Sequence, residues 1–223
     1  MADAETGIFY GKTQYWDDRY EKDPAPFDWY QRWAGLRTIV GAHARKSGDV
    51  LIVGSGNSRL GADMLDEGYK SVTSIDISRV VTSQMAFSAS HPKLHFLHMN
   101  ACALEFADES FDVAVAKATL DVIMCGEGSL DNVHKVCFEM SRVLRPGGAF
   151  FVVSHDESFM QHLAPEHANK DFGWTVVAET VAKPVLNPRF PALDAFGAAL
   201  VHHVYVCTKK VSETQPPETA QCS

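Results

Sequence analysis

The run Asp49–Gly61, DVLIVGSGNSRLG, restricts what this chain can fold into more than any other stretch. Val50, Leu51, Ile52 and Val53 form a short continuous apolar run, the pattern of a parallel strand buried on both faces. Gly54 and Gly56 then permit a tight turn into a helix that carries Leu60, Met64 and Leu65. A strand, a glycine-rich turn and a helix make the first crossover of a nucleotide-type α/β fold.

The rest of the chain repeats the alternation. Strand patterns occupy Asp49–Val53, Ser71–Asp76, Leu94–Met99, Phe111–Ala116 and Ala149–Ser154, with helical patterns around Leu60–Asp66, Arg79–Ser90 and Leu130–Leu144. Strands and helices in turn predict a doubly wound, mostly parallel sheet. The helix over Leu130–Leu144 runs into LRPGG, where Pro146 cannot continue it and Gly147–Gly148 release the chain into the next strand. Residues 173–182 and 199–210 read as two more strands. A connection holding Pro184, Pro188 and Pro191 joins them, which predicts an antiparallel hairpin at the sheet edge. Before the first strand, residues 8–32 (IFYGKTQYWDDRYEKDPAPFDWYQR) interleave aromatics with charges too densely for a linker. Residues 211–223 are polar and proline-bearing and read as a disordered tail. The expected organisation is an aromatic N-terminal segment over 1–34, one α/β domain over 35–210 and the tail; 223 residues suffice for one substantial core and no second domain.

Charge and cysteine usage exclude several classes. A net charge of −8 works against a phosphate-backbone surface, which would cluster Lys and Arg, and fits a basic partner better. The five cysteines, Cys102, Cys125, Cys137, Cys207 and Cys222, form no CxxC pair and no secretory leader precedes them, so a reducing, cytoplasmic setting is expected. No apolar run approaches the about 20 residues needed to cross a bilayer, so no membrane association is expected. In HPKLHFLH, His95 and His98 fall on opposite faces of a strand, and adjacent His202 and His203 face apart; no metal site is expected.

What the glycine turn holds depends on its spacing. A dinucleotide fold uses G-x-G-x-x-G, with the pyrophosphate on the helix N-terminus. Here Arg59 stands at the third glycine position and the next glycine is Gly61, a looser turn that counts against a nicotinamide oxidoreductase. Asp76 closes the second strand, where a carboxylate can accept hydrogen bonds from both ribose hydroxyls of either kind of ligand. After the third strand, the side-chain amide oxygen of Asn100 and the N–H of Ala101 are placed to read an adenine edge.

From the glycine loop through LRPGG to the terminal hairpin, the chain resembles the class I S-adenosylmethionine-dependent methyltransferases. The resemblance implies a Rossmann-like seven-stranded sheet with an antiparallel terminal strand, S-adenosyl-L-methionine as cofactor and S-adenosyl-L-homocysteine as product. The loop would then hold a sulfonium-bearing amino acid and ribose, with no phosphate. YWDDRYEKDPAPFDWY, VGSGNSRL and KATLD are similar to the subfamily of lysine methyltransferases of translation elongation factor 1-alpha and the endothelin-converting-enzyme-2-associated methyltransferase, over about 200 residues. There the aromatic segment closes over the cofactor as a lid. The resemblance carries Trp16, Tyr20 and Trp29 over as cofactor contacts, together with Gly54, Gly56, Asp76, Ile77, Asn100, Ala101 and Lys117. The chain departs where the subfamily has an acid, a lysine and a glycine before TLD: Ala116, Lys117 and Ala118 stand there, and Asn100 replaces an Asp.

No D/N-P-P-Y follows the fourth strand, which disfavours adenine-N6 and glutamine acceptors; a protein lysine, with elongation factor 1-alpha as candidate, is what the resemblance implies. Methyl transfer needs a lone pair aligned with the S–CH3 bond and water excluded. Asp121 would accept the leaving proton, orient the ammonium, or cap the helix that follows, three roles the residues leave open. A small-molecule or other protein acceptor, and a non-catalytic cofactor-binding module, also stay open. The sequence does not fix the oligomeric state.

Overall fold

A computed structural model describes residues 10–168, 170–184 and 200–211. Its elements are α1 (Thr13–Lys22), α2 (Trp33–His43), β1 (Asp49–Val53), α3 (Leu60–Asp66), β2 (Ser71–Asp76), α4 (Arg79–Ser88), β3 (Leu94–His98), β4 (Phe111–Lys117), α5 (Thr119–Met124), α6 (Ser129–Val143), β5 (Leu144–Ser154), a 3-10 turn (Glu157–Phe159), α7 (Met160–Leu163), α8 (Pro165–Ala168), β6 (Trp174–Ala182) and β7 (Val201–Lys209). The seven strands form one sheet in the order β3-β2-β1-β4-β5-β7-β6. The first five are parallel, and β7 lies antiparallel between β5 and β6. This is the doubly wound sheet with an antiparallel terminal strand that the sequence predicts.

Each face of the sheet carries its own core, and β5 shows why. Phe150 and Val152 pack with Val133, Val136 and Met140 of α6, whereas Phe151 and Val153 pack with Leu36 and Val40 of α2 and Met64 of α3. The two-residue period of a strand buried on both sides sends alternate residues into opposite layers.

Several boundaries differ from the sequence reading, most of them by one or two residues. Strand β5 begins at Leu144, five residues earlier than expected. Leu144 pairs with Phe111, Arg145–Gly148 loop out as a bulge with Gly147 at φ +77°, and the ladder resumes at Ala149 opposite Val113. Helix α4 stops at Ser88 and β3 at His98. The aromatic N-terminal segment, assigned no element from sequence, forms α1 and leads into α2. Trp16 and Tyr20, four residues apart, are the buried stripe of α1 and pack against Val81 of α4. The greater part of the proline-bearing connection, residues 185–199, and the tail from residue 212 on lie outside the described residues. Among the described residues, no helix is long and apolar enough to cross a membrane.

Candidate active site

The carboxyl ends of β1, β2 and β4 open into a cavity of about 600 Å³, at the topological switch point where ligands of open α/β sheets bind. Its walls include all ten residues expected to meet the cofactor: Trp16, Tyr20, Trp29, Gly54, Gly56, Asp76, Ile77, Asn100, Ala101 and Lys117.

The floor is built from the glycine turn and Asp76. Gly54 and Gly56 have φ of +64° and +51°, in the left-handed region where side chains are strained. A Cβ at Gly54 would collide with the Thr119 side chain, whose hydroxyl donates to the Val53 carbonyl at 2.7 Å. One at Gly56 would stand 2.5 Å from the Tyr20 hydroxyl. The Asp76 carboxylate is buried and accepts the N–H of Gly56 at 2.8 Å and of Ser78 at 2.9 Å, one on each oxygen. Burial pushes its carboxyl above the ordinary carboxylate range, although these two N–H bonds oppose the shift.

The roof is the N-terminal segment, tied down by contacts the sequence reading did not contain. Lys117, the last residue of β4, is expected from the resemblance to meet the cofactor, and it lines the cavity. Its side chain is buried, and Nζ donates to Asp28 Oδ1 at 3.1 Å and to the Trp29 carbonyl at 3.0 Å. Burial pulls its ammonium below the ordinary lysine range, and Asp28 partly restores it. Asp28 also accepts from the Ser58 hydroxyl, and Asn57 donates to the Ala25 carbonyl, so the glycine loop itself grips the roof. Asp17 of α1 accepts from Ser78 Oγ at 2.5 Å. At the far edge, the backbone of Gly11 crosses that of Gly126 so closely that a Cβ at Gly11 would fall on it. Pairings such as Asp28 with Lys117, 89 residues apart, leave no local signal in the sequence.

Two placements bear on the expected roles. Asn100 Oδ1 accepts the Cys102 N–H at 2.9 Å, so part of its acceptor capacity closes the turn after β3. Asp121 does not open onto the cavity. It faces Ser154 and His155 at the end of β5, and its recorded bonds are to those residues and not to N–H groups of its own helix. Ala118, where the resembled subfamily has glycine, takes φ +63°, a conformation glycine adopts at lower cost. Among the described residues no group of three or more His, Cys, Asp or Glu is placed to hold a metal ion.

These residues fit S-adenosylmethionine. Asp76 keeps lone pairs for ribose hydroxyls. Ser55, whose buried hydroxyl has no partner among the described residues, stands in the wall beside the glycine turn and can meet a polar ligand group. Aromatic and aliphatic side chains supply the remaining surface, the mix that binds amphipathic small molecules.

Residues 51–152 match the model of a family described as a methyltransferase domain. The chain is 35% identical to EEF1A lysine methyltransferase 4 of Bos taurus over 184 residues, which cover 77% of this chain and 71% of that protein. It is 32% identical over 178 residues to the eEF1A lysine and N-terminal methyltransferase of Homo sapiens, covering 78% of this chain but only 25% of the relative. It thus spans about a quarter of the length of the relatives of that second kind. Among solved structures, the [4+2]-cyclase SpnF superposes with a TM-score of 0.62 at 16% identity, covering 93% of this chain and 97% of that one. A SAM-dependent methyltransferase of Methanosarcina mazei gives 0.57 at 19%, covering 78% and 97%. At such identities the structural likeness speaks to the fold alone, and a cyclase among the neighbours illustrates that fold does not dictate reaction. The sequence match over most of both chains does more: this chain belongs to the S-adenosylmethionine-dependent methyltransferase family that includes EEF1A lysine methyltransferase 4.

Proposed function

We propose that this chain transfers a methyl group to a lysine side chain of a protein, with elongation factor 1-alpha as the candidate substrate. The observation that carries the reading is the 35% identity to EEF1A lysine methyltransferase 4 across 77% of the chain. Bound S-adenosylmethionine supplies an electrophilic methyl group on a sulfonium.

The chain's own residues do the rest. Asp76 and the glycine turn fix the ribose and amino-acid ends, and the aromatic segment 13–31 acts as the lid that keeps water from the reacting centre. An acceptor lysine must present a neutral amine, although its free pKa is near 10.4. Desolvation in the closed cavity and the sulfonium charge of the bound cofactor would both oppose a second positive charge. Asp121 serves this step from outside the cavity, as an orienting group. A net charge of −8 favours a basic partner and steers its approach. The unpaired thiols Cys102, Cys125, Cys137 and Cys207 support work in the reducing cytoplasm.

The test is to incubate purified protein with isotopically labelled S-adenosylmethionine and purified elongation factor 1-alpha, then map the label by mass spectrometry. Label on lysine supports the reading, and added salt should slow its appearance. Label confined to small molecules, to arginine or to nucleic acid from an extract would refute the lysine assignment. No transfer at all would favour a cofactor-binding module.

A further inference from the structure

Beside the cavity, over the ends of β4 and β5, lies a cluster that none of the cofactor contacts uses. His155 follows the last residue of β5. Its Nδ1 stands 2.7 Å from Asp121 Oδ1 and 2.9 Å from the Tyr30 hydroxyl. The fully buried Ser154 donates to the same Asp121 oxygen at 2.6 Å. A carboxylate only accepts, so the hydrogen between His155 and Asp121 belongs to Nδ1, and this assigns the lone pair to Nε2. Among the described residues Nε2 has no partner, and the imidazole side chain is 61% exposed.

Two further observations set this cluster apart from an ordinary loop contact. Asp121 is buried, with 7% of its side chain exposed, yet Oδ2 has no partner among the described residues. Such an oxygen normally finds a donor. Tyr30 holds φ +60°, a left-handed conformation that is strained for a residue with a Cβ. Its ring lies 4.8 Å from that of His202, which Gln31 Nε2 fixes at 3.1 Å. Burial, then the Asp121 carboxylate, raise the Tyr30 hydroxyl, so it stays protonated at ordinary pH; with Nδ1 carrying the hydrogen, the tyrosine oxygen meets it as a second acceptor beside Asp121. The cluster joins the cavity wall at two points: Trp29 and Thr119 line the cavity, while Tyr30 and Asp121, one and two residues on, hold His155.

We propose that His155 is the group that takes the proton of the acceptor amine, with Asp121 and Tyr30 as positioning residues that fix its tautomer and aim. The proposal rests on the lysine reading above. The acceptor arrives as an ammonium; one N–H bond breaks, the proton goes to Nε2, and nitrogen keeps the electron pair. That pair forms the new N–C bond as the S–C bond breaks, and its electrons pass to sulfur, leaving a neutral thioether. The product is a methylated ammonium, and the exposed imidazolium returns its proton to water. Asp121 stays a carboxylate throughout.

The titratable groups facing His155 are Tyr30 from the N-terminal segment, Asp121 on α5 with Cys125 beyond it, Asp156 next in the chain and His202 on β7. Burial, followed by Lys183, His155 and His203, brings His202 down to about 4, so it stays neutral across an assay range of pH 6–9.

Two measurements decide the proposal. Long-range proton–nitrogen NMR of the cofactor-free protein should show the His155 ring protonated at Nδ1, and Asp121→Asn should abolish that preference. Steady-state methylation of elongation factor 1-alpha should show a pH dependence in wild type that His155→Asn lacks. The variant's kcat should fall about 10- to 100-fold, near the low end for loss of a general base, with KM and cofactor affinity within about twofold. Tyr30→Phe should fall between the two. A ring protonated at Nε2, or a His155→Asn profile matching wild type, would overturn the relay and leave the lysine reading intact. A wild type that methylates no lysine of the factor would overturn that reading, and the ring measurement would still decide the tautomer on which the relay depends.

Discussion

Replacing Asp28 by alanine tests how the roof is held. Lys117 and Asp28 have 6% and 13% of their side chains exposed. Removing one member of such a pair strands a buried charge, at a typical cost of about 3–5 kcal/mol. The protein need not bear all of it, because lifting residues 23–29 would let water reach Lys117. With Asp28 gone, the hydrogen bonds that still tie residues 23–29 to the sheet and glycine loop are those of Asn57 to the Ala25 carbonyl and Lys117 to the Trp29 carbonyl, while Tyr30 and Gln31 stay anchored on His155, Ala182 and His202. At about 1 kcal/mol each, they put local opening at about 2 kcal/mol, less than the penalty for staying closed. The segment should therefore open while the sheet remains folded. Amide exchange across residues 23–29 should quicken about 30-fold, the equivalent of about 2 kcal/mol, with β1 and β4 unaffected. Asp28→Asn combined with Lys117→Met removes both charges and should restore most of the protection. The pH dependence has a definite sign. Lys117 is lowered in the fold, so between its folded value and the ordinary 10.4 the unfolded chain binds more protons and stability rises with pH. The deficit of Asp28→Ala should accordingly shrink toward alkaline pH, as the neutral amine ceases to need its partner. Exchange unchanged in folded Asp28→Ala, or a double variant as open as the single, would refute the latch.

Three more outcomes follow from the same geometry. Asp76→Ala should weaken S-adenosylmethionine binding by about 1.5–3 kcal/mol in titration calorimetry, if the carboxylate accepts ribose hydroxyls; unchanged affinity in a folded variant would remove Asp76 from the site. Adding S-adenosylhomocysteine should slow amide exchange across Tyr15–Trp29, and equal exchange with and without it would defeat the lid. Gly54→Ala, forced to φ +64° against Thr119, should cost at least about 2 kcal/mol in denaturant unfolding, and a loss under about 0.5 would show that the turn adjusts freely.

Much of this molecule could be read before its coordinates, for reasons visible in particular residues. Val50–Val53 followed by Gly54 admits few folds, and the local signals of β6 and β7 announced an antiparallel ending. The roof was harder. The aromatics of α1 mark a packed segment, but Asp28 looks like any surface acid until Lys117 arrives from the end of β4. His155 carries no motif, since its partners Tyr30 and Asp121 lie 125 and 34 residues away. The start of β5 was placed five residues late because Pro146 and the glycines look like a terminus when they are a bulge inside a strand.

The distribution of indoles gives the protein an optical probe of its own. Of its four tryptophans, Trp16 and Trp29 stand in the cavity wall, with Trp16 stacked on Tyr20 at 5.9 Å. Trp33 and Trp174 are sealed in the cores on opposite faces of the sheet. Indole emission follows local polarity and quenching, so a ligand entering the cavity should change half of the fluorophores and spare the rest as an internal reference. Single Trp→Phe replacements at the two wall positions would separate the closing of the first helix from that of the loop behind it, with no label attached.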